Sequence, residues 1–169
     1  LVLTGDTTVC RFDTFTYALA PLNGTSGYNW AVSGGQILSG QGSAQIKVVW
    51  DGPAGSGLVC ASAENNCGIG PVACLNVRSG NPPLLGQVTR SCDTANLNYI
   101  VSFPVTGGTA PFSVSGGTVS NGVFTSNPIP NSVPYQFVLT DANGCKSAKI
   151  KGNYDCNCTS KVGQLGTQL

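Results

Sequence analysis

Residues 57–77, GLVCASAENNCGIGPVACLNV, decide the fold of this 169-residue chain. On both sides of Cys67, apolar residues alternate with others, which is the pattern of two strands that each bury one face. Cys60 and Cys74 are equally far from Cys67 along the chain. An antiparallel hairpin centred on Cys67 therefore sets them side by side on its outer face. The stretch predicts a β-hairpin closed by a Cys60–Cys74 disulfide.

Short alternating runs extend upstream of this hairpin, and residues of the turn-forming types separate them. The predicted strands of the first half lie near residues 7–10, 14–19, 28–32, 36–38, 44–50, 57–63 and 72–77. No window repeats apolar residues at helical spacing over several turns. Seven short strands in one half of the chain predict an immunoglobulin-like β-sandwich.

The second half repeats this organisation. Each half has an opening cysteine, a glycine pair and a cysteine beside a tight turn, and further strands are predicted near residues 87–90, 98–105, 112–114, 122–124, 135–140 and 146–152. A polar segment closed by two prolines, residues 79–83, marks the boundary. We therefore predict an all-β fold of two tandem immunoglobulin-like sandwiches, at residues 1–79 and 80–158. Residues 159–169 are expected to be a flexible tail or the first strand of a following domain.

The composition excludes several classes of partner. Charged residues make up 9% of the chain, against about 25% in ordinary soluble proteins. Eight scattered cations nearly balance seven carboxylates, so the basic patch that nucleic-acid binding requires is absent from the sequence. No apolar run approaches the roughly 20 residues of a membrane span. Because the chain begins at Leu1 rather than Met, we expect it to be a piece of a longer protein.

Eight cysteines in a small, loop-rich chain indicate an oxidising, extracellular compartment. Zinc ligation is disfavoured, since the sequence has no histidine and no pair of CxxC motifs. If Cys60 pairs with Cys74, elimination leaves Cys10 with Cys67. In a plain immunoglobulin sandwich these two residues lie at opposite ends, so that bond requires a displaced first strand or a folded-over loop.

The second half offers competing pairings for its four cysteines. Cys92 could bond Cys145, which follows the hairpin turn, or Cys156, in which case the bond would join two strand ends on one side. Cys158 completes the set of candidate disulfide residues. Four cysteines allow three connectivities, and both pairings of Cys92 stay open here.

The inventory of reactive side chains predicts a protein that is not an enzyme. Without histidine, neither a Ser-His-Asp nor a Cys-His device can be assembled. The carboxylates fall at predicted strand ends and turns, where they commonly accept hydrogen bonds from backbone amides. These residues are Asp6, Asp13, Asp51, Glu64, Asp93, Asp141 and Asp155.

Two further sites are candidates for binding. Asp141 and Asn143, in a predicted turn, offer hard oxygen ligands to calcium, and the alternative interpretation is an Asx turn before Gly144. No other cofactor is predicted. Trp50 ends its predicted strand beside a Gly-Pro turn, where it could be partly exposed and stack on a sugar ring, or instead belong to the core or a domain contact.

Several motifs resemble known families. Residues 28–32 (YNWAV), 39–43 (SGQGS), 46–50 (IKVVW) and 66–68 (NCG) resemble the PKD-like domains of large surface proteins of Bacteroidetes. Residues 107–112 (GGTAPF) and 138–145 (VLTDANGC) resemble the SprB-type repeats of gliding-motility adhesins, although Phe112-Ser113-Val114 replaces their usual Tyr-Ser-Trp ending. The resemblance implies export by the type IX secretion system and display at the outer membrane or release.

These observations predict a non-catalytic repeat segment of an exported cell-surface adhesin, acting as a disulfide-stapled stalk or adhesive module in attachment or gliding. The expected partners are neighbouring domains of the parent protein, the type IX secretion machinery and surface glycans. The alternative is a carbohydrate-binding accessory region of a secreted multidomain enzyme. A flat outer sheet that carries Trp50 and another aromatic side chain would favour that alternative.

Overall fold

A computed structural model describes residues 1–157 of the chain. Cys158 and the predicted tail at residues 159–169 lie outside the described residues. Within the described part the structure consists of strands and turns, without a helix, and the prediction of an all-β fold with tandem immunoglobulin-like sandwiches is confirmed. The chain divides into two compact units. The predicted domain boundaries themselves stay a prediction.

Unit 1 comprises Leu1–Pro83 together with two later segments, Gly107–Pro111 and Thr140–Lys146. Its strands form a four-stranded sheet in the order β1-β3-β6-β5 and a five-stranded sheet in the order β2-β9-β7-β4, with β8 paired to β7. This is the strand arrangement of an immunoglobulin sandwich. The strands are β1 (Leu3–Thr4), β2 (Thr8–Cys10), β3 (Thr14–Leu19), β4 (Gly27–Ser33), β5 (Gln36–Ser39), β6 (Gln45–Val49), β7 (Gly55–Asn65), β8 (Gly68–Ile69) and β9 (Ala73–Gly80).

The first strand of unit 1 is divided between the two sheets. β1 pairs antiparallel with β3, and β2 pairs parallel with β9, where Cys10 lies opposite Gly80. Between them the chain passes close to a buried ring, because a Cβ atom on Gly5 would lie only 2.2 Å from Cδ1 of Tyr17. The Tyr17 hydroxyl donates a 3.0 Å hydrogen bond to the backbone oxygen of Asp6. Only glycine fits at position 5, where the chain passes from one sheet to the other. The hydrogen bond from Tyr17 holds this segment in place.

Alternation along the strands builds the core of unit 1. Tyr17 and Trp50 are its largest fully buried side chains, and their rings meet edge to face with centroids 6.2 Å apart. This geometry suits the opposite charges of ring edge and ring face. The buried cluster consists of Val9, Tyr17, Leu19, Trp30, Ile46, Val48, Trp50, Val59, Ala61 and Val77.

The segment Gly40–Ser43, between β5 and β6, covers the edge of strand β4. The backbone N–H of Tyr28 donates to Gly42 O at 3.3 Å, and Nε2 of Gln41 donates to Trp30 O at 3.2 Å. The Trp30 indole N–H donates to Ser43 O at 2.8 Å. An uncovered edge strand invites pairing with other chains, so the SGQGS motif has a structural role as an edge cap.

Unit 2 comprises Leu84–Thr106, Phe112–Leu139 and the described chain from Ser147 onward. Its long central strand β12 pairs with β10, β11, β14 and β15, β13 pairs with β14, and β16 pairs separately with β17. The strands are β10 (Leu84–Leu85), β11 (Thr89–Cys92), β12 (Asn98–Thr106), β13 (Gly117–Ser120), β14 (Val123–Ser126), β15 (Ile129–Pro130), β16 (Tyr135–Phe137) and β17 (Ile150–Gly152).

Aromatic rings dominate the core of unit 2. Phe103 stacks on Phe124 with centroids 4.6 Å apart, and Phe124 also contacts Phe137 at 4.7 Å. The strand predicted at residues 112–114 does not form a named strand, although Phe112 and Val114 pack against this core. In residues 112–114, alternate side chains are thus packed against the core although the backbone is not part of a regular strand.

Candidate functional site

Three disulfides are present among the described residues. Cys60 and Cys74 occupy directly opposed positions of β7 and β9 and are bonded, with a Cα–Cα distance of 4.1 Å, as the hairpin pattern predicts. Cys92 is bonded to Cys156, which resolves the two alternatives for Cys92. The third disulfide joins Cys10 to Cys145 across a sequence separation of 135.

The pairing of Cys10 with Cys67 that elimination predicted is wrong. Cys10 lies opposite Gly80, at the end of β9, whereas Cys67 precedes the start of that strand. Since β9 has 8 residues, the two cysteines are separated by roughly 25 Å of strand, far beyond disulfide reach. Cys67 is exposed, and its thiol is free among the described residues.

The Cys10–Cys145 disulfide is enclosed within unit 1. Cys10 is 8% exposed and Cys145 is 0% exposed. The residue that follows Cys10 is tied down as well, because Arg11 N–H donates to Gly80 O at 2.9 Å. The backbone N–H of Cys145 donates to Oδ1 of Asp141 at 2.8 Å. Thiol exchange requires access to a sulfur atom, so burial protects this bond.

Asp141 organises the turn that carries Cys145. Its carboxylate accepts N–H groups from Asn143 at 2.9 Å and Cys145 at 2.8 Å on Oδ1, and from Thr109 at 2.9 Å on Oδ2. The Asn143 side chain donates instead to the Thr109 hydroxyl at 2.9 Å. The bond from the Asn143 N–H is an Asx turn, the alternative interpretation of this motif. A calcium site at Asp141 and Asn143 stays a prediction.

The prediction that Trp50 binds a ligand is wrong, because its side chain is 0% exposed. Glycines make room for the indole: a Cβ atom on Gly57 would lie 2.4 Å from Cζ3 of Trp50, and one on Gly35 would lie 3.3 Å from Cε3. The indole nitrogen is buried without a hydrogen-bond partner among the described residues. A sugar ring cannot reach a side chain enclosed in this way.

A shallow cleft of about 390 Å³ lies at the turn end of the β7–β9 hairpin in unit 1. Its lining includes Leu22, Glu64, Cys67, Ile69 and Pro71. Ile69 is 69% exposed. In the sequence, this surface is marked by an isoleucine between two glycines at a hairpin tip. The cleft combines apolar side chains with the thiol of Cys67, which forms no disulfide within residues 1–157.

The carboxylates of the described residues mostly bind backbone and amide groups. Asp93 accepts N–H bonds from Leu97 at 2.9 Å and Asn98 at 3.1 Å, and the hydrogen bond from the Asn98 side chain is the main cause that lowers the pKa of Asp93. Glu64 accepts from the Asn29 amide at 2.7 Å. These contacts fit the structural role predicted for the carboxylates.

Residues 1–157 contain no group of three or more His, Cys, Asp or Glu side chains arranged to hold a metal ion. In the same part of the chain there is no helix of the length and apolarity that crossing a membrane requires.

The family model of the PKD-like domain matches residues 2–77. This part of the chain is similar to PKD-like domains. The match includes all strands of the unit 1 sandwich up to Val77 in β9. No curated protein matches the chain by sequence.

Several solved structures align with most of this chain at low sequence identity. The fibronectin(III)-like modules of CbhA from Clostridium thermocellum align over 96% of this chain and 100% of theirs, with 12% identity and a TM-score of 0.37. The adhesin InvE of Yersinia pseudotuberculosis aligns over 90% of this chain and 58% of its own, with 11% identity and a TM-score of 0.35. Domains 5-6 of the S-layer protein SbsC align over 91% of this chain and 96% of theirs, with 12% identity and a TM-score of 0.33.

Proposed function

We propose that this chain is a non-catalytic segment of a large exported surface adhesin, in which it serves as a disulfide-stapled stalk or adhesive unit. The observation that carries the proposal is the set of three disulfides in a chain whose residues 2–77 match the PKD-like domain. Disulfides of this kind form and persist in oxidising, extracellular compartments. Small β-sandwiches gain stability from them because their cores are modest.

The finer assignment is to the SprB-type adhesins of Bacteroidetes. Its support is the resemblance of residues 107–112 and 138–145 to the repeats of those adhesins, together with the PKD-like match of residues 2–77. On this proposal the type IX secretion system exports the parent protein to the outer membrane. Neighbouring domains and surface glycans are then the partners, and gliding motility or surface attachment is the process served.

The structure disfavours the alternative of a carbohydrate-binding region, because that alternative depended on exposure of Trp50. That function requires an exposed aromatic platform for a sugar ring, and Trp50 is fully buried. The outer face of β4, β7 and β9 instead carries the Cys60–Cys74 disulfide and polar side chains such as Asn29 and Asn76. A polar, disulfide-bearing face suits a spacer module.

The test uses cells that produce the parent protein. Antibodies raised against the oxidised fragment should label intact cells, and labelling should disappear after brief protease treatment of those cells. Removal of residues 1–157 from the parent protein should reduce attachment under flow or gliding speed, whereas a parent protein with Trp50→Phe should behave normally. Absence of surface labelling, or unchanged attachment and gliding after removal, would refute the proposed function.

A further inference from the structure

We propose that the Cys10–Cys145 disulfide is a mechanical shortcut, through which tension along the chain passes without loading the folded cores. The inference deepens the stalk role proposed above and rests on it for its biological use. The loading path itself follows from the connectivity of the chain. A disulfide is a covalent bond, whereas strand pairing consists of much weaker hydrogen bonds.

The loop that this disulfide closes contains nearly all of the folded structure. With a sequence separation of 135, it encloses every strand from β3 to β16. Of the buried core residues of unit 1, only Val9 lies outside the loop. All buried core residues of unit 2, from Tyr99 to Leu139, lie inside it. A pull on the two ends of the chain therefore bypasses both hydrophobic cores, apart from Val9 in unit 1.

Only short strands remain in the loading path. On the amino-terminal side these are β1 and β2, of 2 and 3 residues, and on the other side β17, of 3 residues. β2 is held by parallel pairing of Thr8 to Cys10 with β9, and β17 by antiparallel pairing with β16. These strands can peel away under load, but each peels only as far as the nearest disulfide.

The second long-range disulfide, Cys92–Cys156, would limit extension within unit 2 if the first were opened. The Cys92–Cys156 bond has a sequence separation of 64 and encloses β12 to β17. If the Cys10–Cys145 bond is opened, tension passes through residues 11–92 and then crosses directly to Cys156. Unit 1 then unfolds under load, while the strands between Cys92 and Cys156 stay protected.

Burial matches the proposed role. Cys10 and Cys145 are both buried, so external thiols have poor access to the bond that carries the tension. The Cys60–Cys74 bond closes a hairpin with a sequence separation of only 14, and Cys74 is exposed. Because that hairpin lies inside the larger loop, its disulfide carries no load in the intact chain.

Single-molecule force spectroscopy on the full chain tests the shortcut, with handles at residues 1 and 169 and Cys67→Ser to prevent thiol exchange. At up to about 3.6 Å per extended residue, the oxidised chain should reach a total contour length of about 13 nm. Cys10→Ser combined with Cys145→Ser should lengthen it to about 33 nm, and full reduction to about 60 nm. Cys60→Ser combined with Cys74→Ser is the matched control and should leave about 13 nm.

A contour length of about 33 nm or more for the oxidised chain with all three disulfides would overturn the proposal. If the variant lacking Cys10 and Cys145 does not fold, reductant added to the oxidised chain held at constant force replaces it, and extension should then increase stepwise from about 13 nm. The measurement involves no cells, so its outcome is independent of the attachment assay. A short contour length with normal attachment after removal of residues 1–157 would uphold the shortcut and refute the stalk.

Discussion

The Asp141 carboxylate accepts a 2.9 Å hydrogen bond from the backbone N–H of Thr109, which precedes it by 32 residues. The same side chain accepts the buried N–H of Cys145. We expect Asp141→Ala to lower the free energy of unfolding by about 2–4 kcal/mol, because it leaves these donors without their charged acceptor. Urea unfolding of the oxidised protein measures this loss.

Asp13→Ala is the control for Asp141→Ala, since the Asp13 side chain is exposed. It should change the free energy of unfolding by no more than about 0.5 kcal/mol. Equal, small effects of the two substitutions would show that the Asp141 hydrogen bonds do not stabilise the fold.

Trp50 should behave as a core residue. Trp50→Ala is expected to lower the free energy of unfolding by about 3–5 kcal/mol, because it removes the packing of the indole on Tyr17 and leaves a cavity. Phe12→Ala is the comparison, since Phe12 is 64% exposed, and should cost less than about 1 kcal/mol. Denaturant unfolding monitored by far-UV circular dichroism measures both changes. Equal stability of the two variants would contradict a core role for Trp50.

The strands of this protein were largely predictable from local pattern. The alternation in residues 14–19 predicts the observed β3 strand, and the symmetric hairpin around Cys67 predicts the pairing of Cys60 with Cys74. These features depend on residues close in sequence, where the period-two pattern of apolar side chains acts directly.

The long-range disulfide could not be predicted in the same way. The predicted Cys10–Cys67 bond follows only if the cysteines of each half pair within that half. In the structure, Cys10 is bonded to Cys145, which lies in a later segment that belongs to unit 1. The burial of Trp50 depends on space left by Gly57 and Gly35, which lie on other parts of the chain. Both facts depend on tertiary packing that the local pattern does not encode.

Tyr17 should make stability depend on pH in the alkaline range. Burial, with a smaller contribution from the nearby Asp6 charge, raises the pKa of Tyr17 from its usual 10 to about 12. In the unfolded chain the phenol loses its proton near pH 10, so the unfolded state binds fewer protons than the folded state above that pH. The stabilising contribution is therefore complete below pH 10 and is lost as the pH rises through 12.

Tyr17→Phe isolates this effect. In a spectrophotometric titration at alkaline pH, the variant should lack the phenol that titrates near pH 12. The free energy of unfolding of the variant should also fall less steeply between pH 10 and 12. Burial also raises the pKa of Tyr99, so a shallower fall should remain in the variant. An unchanged pH profile would contradict the assignment to Tyr17.

Gln41 should protect the edge of strand β4. Its side chain donates to Trp30 O beside the bond from Tyr28 N–H to Gly42 O. Gln41→Ala should weaken the cap by about 1 kcal/mol, which would speed hydrogen exchange of the Tyr28 amide about fivefold. Gln36→Ala removes a bond to Asp51 instead and should leave that amide unchanged. Equal exchange rates in both variants would contradict a capping role.

The disulfide connectivity of the parent protein taken from intact cells tests the central claim most directly. Surface thiols are first blocked with an alkylating reagent, and peptides are then mapped by mass spectrometry without reduction. The account predicts cross-linked peptides that join Cys10 to Cys145, Cys60 to Cys74 and Cys92 to Cys156. Free thiols at these six positions, or a cross-link between Cys10 and Cys67, would contradict it.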